Sequence, residues 1–326
     1  MTKALEVKTE NSAIVTVEHF SDNIIDEFIN SRSANKNTQS KYRRIIRQMM
    51  KYFSSKNITA PSEDDANLYI DTLRSEKKSD YTIRLYSTVM KSFFAFCGRK
   101  GYYTDVTADV KVQLRKSKTH NRKALTQNQA ERLISAIKGK DVVSLRNRAI
   151  IALALTTGMR TIEIERANVE DFSEADGYWA LKVQGKGRLT ADETVKVAPW
   201  VAQMINTYID KRGEVKADEA GTPLFASTSR NNSKYGCRYS AQSVGKMIKA
   251  TMVSVGIDDK NISAHSTRHY AATTAIKQGV DLREVSAMLR HASVDVTMTY
   301  LHDISIETRR AEMAVASTLV SAAAYC

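Results

Sequence analysis

Only three prolines interrupt the 326 residues of this chain, and its apolar residues recur mostly three and four positions apart. Proline removes a backbone donor and clashes with the preceding turn, so a chain nearly free of it can carry long helices. A mainly helical protein is predicted. Ser21 can cap a first helix in which Ile24, Ile25, Phe28 and Ile29 share one face. A second, over about 38–54, turns Tyr42, Ile45, Ile46, Met49 and Phe53 inward and presents Lys41, Arg43, Arg44, Arg47 and Lys51 on its other side. Ser62, with Asp65 three residues on, marks the start of a third. A fourth runs from about Tyr81 to Cys97, with Ile83, Val89, Met90, Phe93 and Phe96 inward and Gly98 or Gly101 closing it. These four helices predict a compact N-terminal domain over residues 19–110, preceded by a loose leader at 1–18.

A second domain is predicted over 124–304. Thr126 and Gln129 have capping-box spacing. Residues 142–157 are apolar almost all round, at Ile150, Ile151, Leu153 and Leu155, which marks a buried central helix ending at Gly158. Tyr178 to Gln184 alternates like a strand, with Glu193 to Val197 as its partner across a glycine-rich connection. Helices resume at Pro199, near Ser240, near Ser266, at Asp281 and around Ser293, while 213–239 reads as a long polar loop. A last helix, over 305–322, carries Met313, Val315, Leu319 and Val320 near one side. The predicted fold class is mainly α with a small β-sheet.

Charge narrows the partners. A formal net charge of +13 favours polyanions, nucleic acid above all. Residues 111–123 hold six Lys or Arg and no acid. Lying between two predicted domains, they read either as a solvated linker or as a strap across a phosphate backbone, with Arg115, Lys116, Lys118, Arg122 and Lys123 as its contacts. No apolar run approaches the roughly 20 residues of a membrane span, and the first residues lack a secretory pattern. Cys97, Cys237 and Cys326 form no CxxC pair, which argues against a disulfide framework or a cysteine zinc site. A cytoplasmic setting is predicted, with no membrane partner.

The residues able to do chemistry fall in three short stretches: Thr157-Gly158-Met159-Arg160 with Glu163, His265-Ser-Thr-Arg268-His269, and Leu289-Arg290-His291 followed by Tyr300. Singly, each is more often structural than catalytic: a lone histidine satisfies a core, and one of fourteen tyrosines packs. Together they place two arginines, several histidines and a tyrosine at helix starts and ends, where side chains and backbone amides converge on an anion. Phosphoryl transfer needs that set. Guanidinium groups match the charge building on non-bridging oxygens, and nearby cations stabilise a phenolate that otherwise holds its proton to about pH 10.

These stretches resemble the three boxes of the tyrosine recombinases, the lambda-integrase-like family that includes Xer and Cre proteins, and the likeness covers residues 19 to 312. Thr-Gly-Met-Arg160 with Glu163 is similar to the first box and His265-x-x-Arg268-His269 to the second. Leu-Arg-His291 with Tyr300 nine residues on is similar to the third, and Gly185-Lys186-Gly187 to the loop carrying the family's lysine. The resemblance implies a four-helix, SAM-like core-binding domain followed by an α+β catalytic domain. It implies that Tyr300 attacks a DNA phosphate to give a 3′-phosphotyrosyl link, and that Arg160, Arg268 and His291 hold the non-bridging oxygens. Lys186 then protonates the leaving 5′ oxygen, with Lys182 and Lys196 as fallbacks, and His265 assists. Glu163 and His269 have supporting roles. One phosphoester replaces another of similar energy, so no ATP, metal or other cofactor is implied. The implied partners are duplex DNA with inverted-repeat core sites, further copies of the chain (two on one site, four in the synaptic complex, the last helix docking in trans) and accessory DNA-bending proteins. Arg290 departs from the pattern, standing where the family usually has glycine; it is expected either to touch DNA or to change how the preceding helix ends.

Three other readings compete. A metal hydrolase using His265, His269 and His291 lacks the acid of an HExxH site and is distinguished by sensitivity to EDTA. A DNA-binding relative without catalysis is marked by a broken set of boxes, and here every position is filled. A type IB topoisomerase relaxes DNA without recombining it.

Overall fold

The computed structural model describes residues 22–32, 36–112, 123–185, 190–229 and 235–303. The predicted leader, the Ser21 cap and the helix over 305–322 lie outside them. The chain divides into two compact units, Met1–Ser117 and Lys118–Cys326.

The first unit holds α1 (Asp22–Asn30), α2 (Lys36–Ser55), α3 (Glu63–Ser75) and α4 (Asp80–Lys100). Its core forms because each helix carries one apolar stripe. Phe28 sits at the centre, edge-on to Phe93 at 5.4 Å and to Phe96 at 5.5 Å; such aromatic pairs add about 0.5–1.5 kcal/mol beyond their buried area. Of the residues predicted to point inward, Tyr42 and Ile24 remain partly exposed and pack at the rim. The α3 start is the predicted reciprocal cap: Ser62 N–H donates to Asp65 at 2.8 Å, and Asp65 N–H donates to Ser62 Oγ. Helix α4 continues past Cys97 and closes at Gly101.

The second unit contains α5 (Gln127–Ser135), α6 (Val142–Thr157), α7 (Thr161–Arg166), β1 (Phe172–Ala175), β2 (Tyr178–Val183), β3 (Glu193–Val197), α8 (Pro199–Arg212), α9 (Ala241–Ser254), α10 (His265–Lys277), α11 (Leu282–Leu289) and α12 (Val294–Met298). A 3-10 turn follows at Thr299–Asp303. Helix α6 is the buried centre, packed by α8, α10, α5, α9 and β3. Thr126, Asp141, Ser240, Asp281 and Ser293 each cap the helix that follows, which fixes where those elements begin.

Two features differ from expectation. The hairpin is a three-stranded antiparallel sheet in the order β1-β2-β3. In β1 only Phe172 is buried, so no alternation announces it; the Asp176-Gly177 turn, with φ of 51° and 79°, is the tight connection that pairs it with β2. The polar loop at 213–239 carries an apolar anchor: Leu224, Phe225 and Ala226 are buried, Phe225 stacks on Tyr208, and Ala226 N–H donates to the Tyr208 hydroxyl at 3.0 Å.

Candidate active site

Helix α6 cannot continue beyond Thr157. Gly158 takes a left-handed conformation (φ 62°), and a Cβ there would lie 2.7 Å from Leu289 Cδ2. Glycine is needed on both counts. The chain turns, and Arg160 becomes the N-cap of α7. Glu163, in the first turn of α7, reaches back: its Oε2 accepts the Arg160 backbone N–H at 2.9 Å and its Oε1 accepts Arg160 Nη1 at 2.7 Å. A carboxylate at the N-terminus of a helix satisfies an orphan donor and suits the helix dipole.

Helix α10 presents His265 at its start and Arg268 one turn in. Arg268 is 1% exposed. Its Nη1 donates to the Gly158 carbonyl at 2.7 Å and its Nη2 to the Leu289 carbonyl. One guanidinium thus ties the end of α6 to the end of α11, which joins the three sequence boxes. Burial lowers its pKa first and the Arg160 charge adds to this, to about 10, so it stays charged at neutral pH.

After α11, Arg290 adopts the left-handed conformation (φ 55°). His291 follows; its Nδ1 lies 2.7 Å from Thr297 Oγ1. Burial, then the charges of Arg268, Arg160 and Arg290, push its pKa down to about 4, so the ring is neutral at pH 7. Tyr300, in the 3-10 turn, is 3% exposed. Its ring stacks on His291 at 6.0 Å and meets the edge of His269 at 5.0 Å, while His269 in turn contacts His265 at 5.1 Å. Ala272, Val285 and Leu289 close the apolar side. Arg160 and His265 also line an open groove of about 500 Å³, together with Lys249 and Ser263.

The structure therefore brings together Arg160, Glu163, His265, Arg268, His269, His291 and Tyr300. Lys186 lies outside the described residues; the residue before it, Gly185, accepts a hydrogen bond from Arg166 Nη1 at 3.1 Å. Lys182 and Lys196 are exposed on β2 and β3, and Lys196 Nζ sits 4.8 Å from the Tyr178 ring. Arg115, Lys116, Lys118 and Arg122 are likewise outside the described residues. Lys123 pairs with Asp259 at 3.1 Å. On α2, Lys41 and Arg44 are exposed, whereas Arg43 bonds Asp26 and Arg47 pairs with Asp22.

Arg290 requires a correction. Expected as a DNA contact, its side chain is 3% exposed and turned inward, donating from Nη2 to Glu163 Oε2 at 2.8 Å and from Nη1 to the Met288 carbonyl at 2.6 Å. Its left-handed backbone is the conformation a glycine adopts at a helix end, so α11 closes in the ordinary way despite the arginine. Sequence reasoning also missed Thr297 as the partner of His291 and Arg166 as the clamp on Gly185; Arg166 offers no local signal, because its partner is nineteen residues away.

Chemically the site is an anion-binding set beside a phenol, with Arg268 buried and Arg160 facing the groove. Two family profiles match the chain: the N-terminal SAM-like domain of phage integrases over residues 25–101, and the phage integrase family over 123–305. A curated relative, the tyrosine recombinase XerD of Halalkalibacterium halodurans, is 28% identical over 279 residues, covering 83% of this chain and 88% of its own. Among solved structures, the XerH site-specific recombinase bound to palindromic difH substrate superimposes with a TM-score of 0.69 at 18% identity, over 92% of this chain and 84% of that one. The Tn1549 transposon integrase in complex with a circular intermediate DNA gives 0.68 at 18% identity, over 89% and 98%. With a profile that spans more than half its length, the chain belongs to the phage integrase family, the tyrosine-type site-specific DNA recombinases.

Proposed function

We propose that this chain cuts and rejoins duplex DNA through a 3′-phosphotyrosyl intermediate on Tyr300. The observation that carries this reading is the convergence of Arg160, Arg268, His291 and Tyr300 on one another from three separate helix ends. Arg268 is fixed by two carbonyls and Arg160 by Glu163, so both guanidinium groups are oriented before the turn carrying Tyr300 opens to admit the non-bridging oxygens; preorganised donors of this kind are worth about 10²–10³ in rate each. Neutral His291 donates one further hydrogen bond. Lys186 protonates the leaving 5′ oxygen, and His265, on the groove, assists the proton's movement. His269 positions the Tyr300 ring by its edge. Tyr300 is buried, so the 3-10 turn shifts when a phosphate enters.

Its partner is double-stranded DNA with inverted-repeat core sites, gripped also by the basic face of α2 and by residues 111–123. Copies of the chain bind as a dimer on one site and as a tetramer across two, in the cytoplasm. The biological setting we favour is integration or excision of a mobile element, because Arg290 departs from the usual third box. Xer-type dimer resolution is the second reading, favoured by the XerD relative that covers 83% of the chain.

Covalent capture tests the chemistry. The full chain is incubated with a pool of nicked duplexes carrying randomised sequence, denatured, and resolved by electrophoresis. A protein–DNA adduct is expected from the wild type, in EDTA as well, and none from Tyr300→Phe. An adduct that persists in that variant overturns the assignment. Sequencing the captured DNA gives the core site, and two such sites on one plasmid separate deletion or inversion from relaxation alone.

A further inference from the structure

We infer that Arg290 is a positioning residue for Arg160, acting through the buried carboxylate of Glu163 that the two arginines share. The inference rests on the reading that Arg160 holds a phosphate oxygen.

Three features of the site support it. First, both oxygens of Glu163 are used: Oε1 by Arg160 Nη1, Oε2 by the Arg160 backbone N–H and by Arg290 Nη2. Glu163 is 0% exposed and Arg290 3%, whereas Arg160 remains 26% exposed. The shared carboxylate therefore has one arginine on its protein side and one facing the groove. Second, the trio carries a net positive charge, whereas Glu163 and Arg160 alone sum to zero. With Glu163 and Arg160 alone, the carboxylate would offset the guanidinium that must attract a phosphate. With Arg290 on the inner side, Glu163 is compensated from within and Arg160 keeps its net positive charge. Third, the arrangement is poor as a device for stability. Arg290 has φ of 55°, a conformation that disfavours any side chain with a Cβ, and its Nε is buried without a hydrogen bond. Glycine fits this backbone more easily, and buried ion pairs are seldom net stabilising. A strained, buried cation one residue from His291 is more readily explained by function.

The environment of Glu163 agrees. Burial favours its neutral form, but the Arg290 charge and the hydrogen bonds from Arg160 and Arg290 hold the carboxyl below its usual range. Arg268 on α10 lies near enough to interact with it. Helix α9, which packs on α7, carries Lys246 and Lys249, and Lys249 is taken up by Asp258 and the Asp259 carbonyl.

The test compares the full-length wild type with Arg290→Gly, Arg290→Met, Glu163→Gln and the Glu163→Gln/Arg290→Met double variant, on the DNA recovered by covalent capture. Arg290→Gly relieves the backbone but leaves Glu163 without its inner partner, so adduct rates are compared well below each variant's own melting temperature. The expected result is adduct formation slowed about tenfold or more in both Arg290 variants, with DNA affinity within about twofold of wild type. The double variant should be no slower than the worse single one, because the uncompensated carboxylate is gone. Without DNA, the gap in melting temperature between wild type and Arg290→Met should be widest at neutral pH and narrow as pH falls through the carboxylate range, where Glu163 protonates in both. Wild-type cleavage rates in both Arg290 variants, strictly additive losses, a parallel fall in DNA affinity, or a melting gap independent of pH would each overturn the inference while leaving Tyr300 chemistry standing. Absence of any Tyr300-dependent adduct from the wild type removes that reading and the inference with it.

Discussion

The arginines of α2 and those around Tyr300 are the same residue type under opposite physical conditions. On α2, Arg44 is exposed, and Arg43 and Arg47 pair with Asp26 and Asp22 at sites open to water. Such pairs are worth about 0–1 kcal/mol and weaken with salt. At the site, Arg268 and Arg290 are buried and bonded to carbonyls or to a buried carboxylate, where removing one partner of a pair costs about 3–5 kcal/mol. An exposed arginine contributes attraction that is replaceable and additive. A buried one contributes geometry, and its loss is felt by every group it holds.

If that contrast is right, Arg268→Lys should produce the largest effect. A lysine cannot bond the Gly158 and Leu289 carbonyls together, so adduct formation should fall by roughly 10² or more. Each carbonyl left unsatisfied should lower stability by about 1–3 kcal/mol in denaturant titrations. Retention of near wild-type cleavage would erase the distinction between the two regions. Gly158→Ala comes next: its Cβ would meet Leu289 Cδ2 at 2.7 Å in a left-handed backbone, for an expected loss of about 1–3 kcal/mol, read as a drop in melting temperature.

A smaller effect concerns pH. His291 has its pKa lowered from 6.5 to about 4 by burial, then by the neighbouring arginines. Between those values the unfolded chain binds a proton that the folded one refuses, so stability should fall as pH drops through this window. His291→Phe should flatten that slope in melting curves; an unchanged slope would mean that burial and the arginines together do not hold this ring neutral. Smallest is Arg44→Ala on α2, expected to weaken DNA binding a few-fold and to reduce the salt slope by about one, with the cleavage rate of bound DNA unaltered. A change in that rate would show that α2 also contributes geometry.

Much of this was legible along the chain. The helices of the first unit, the buried α6 and the helix starts at Ser62, Thr126 and Asp281 follow from local spacing and local hydrogen bonds, which a sequence carries directly. Strand β1 was not, because a four-residue strand with one buried side chain has no period to read. The loop anchor at Leu224 and Phe225 was hidden for a similar reason: its partner, Tyr208, lies on another element.

The site divides in the same way. Residue type and order, read with the likeness to the three boxes, pointed to Arg160, Arg268, His291 and Tyr300, and the fold sets these residues near one another. They could not say which way Arg290 faces. A charge following Leu289 reads as a DNA contact or as a change in the helix end, and its inward turn depends on Glu163, distant in sequence and adjacent only in the folded chain. Local rules determined the elements and the chemistry of this protein; the tertiary structure alone decided how its charges are shared, because the energy of a buried ion pair depends on neighbours that the order of residues does not bring together.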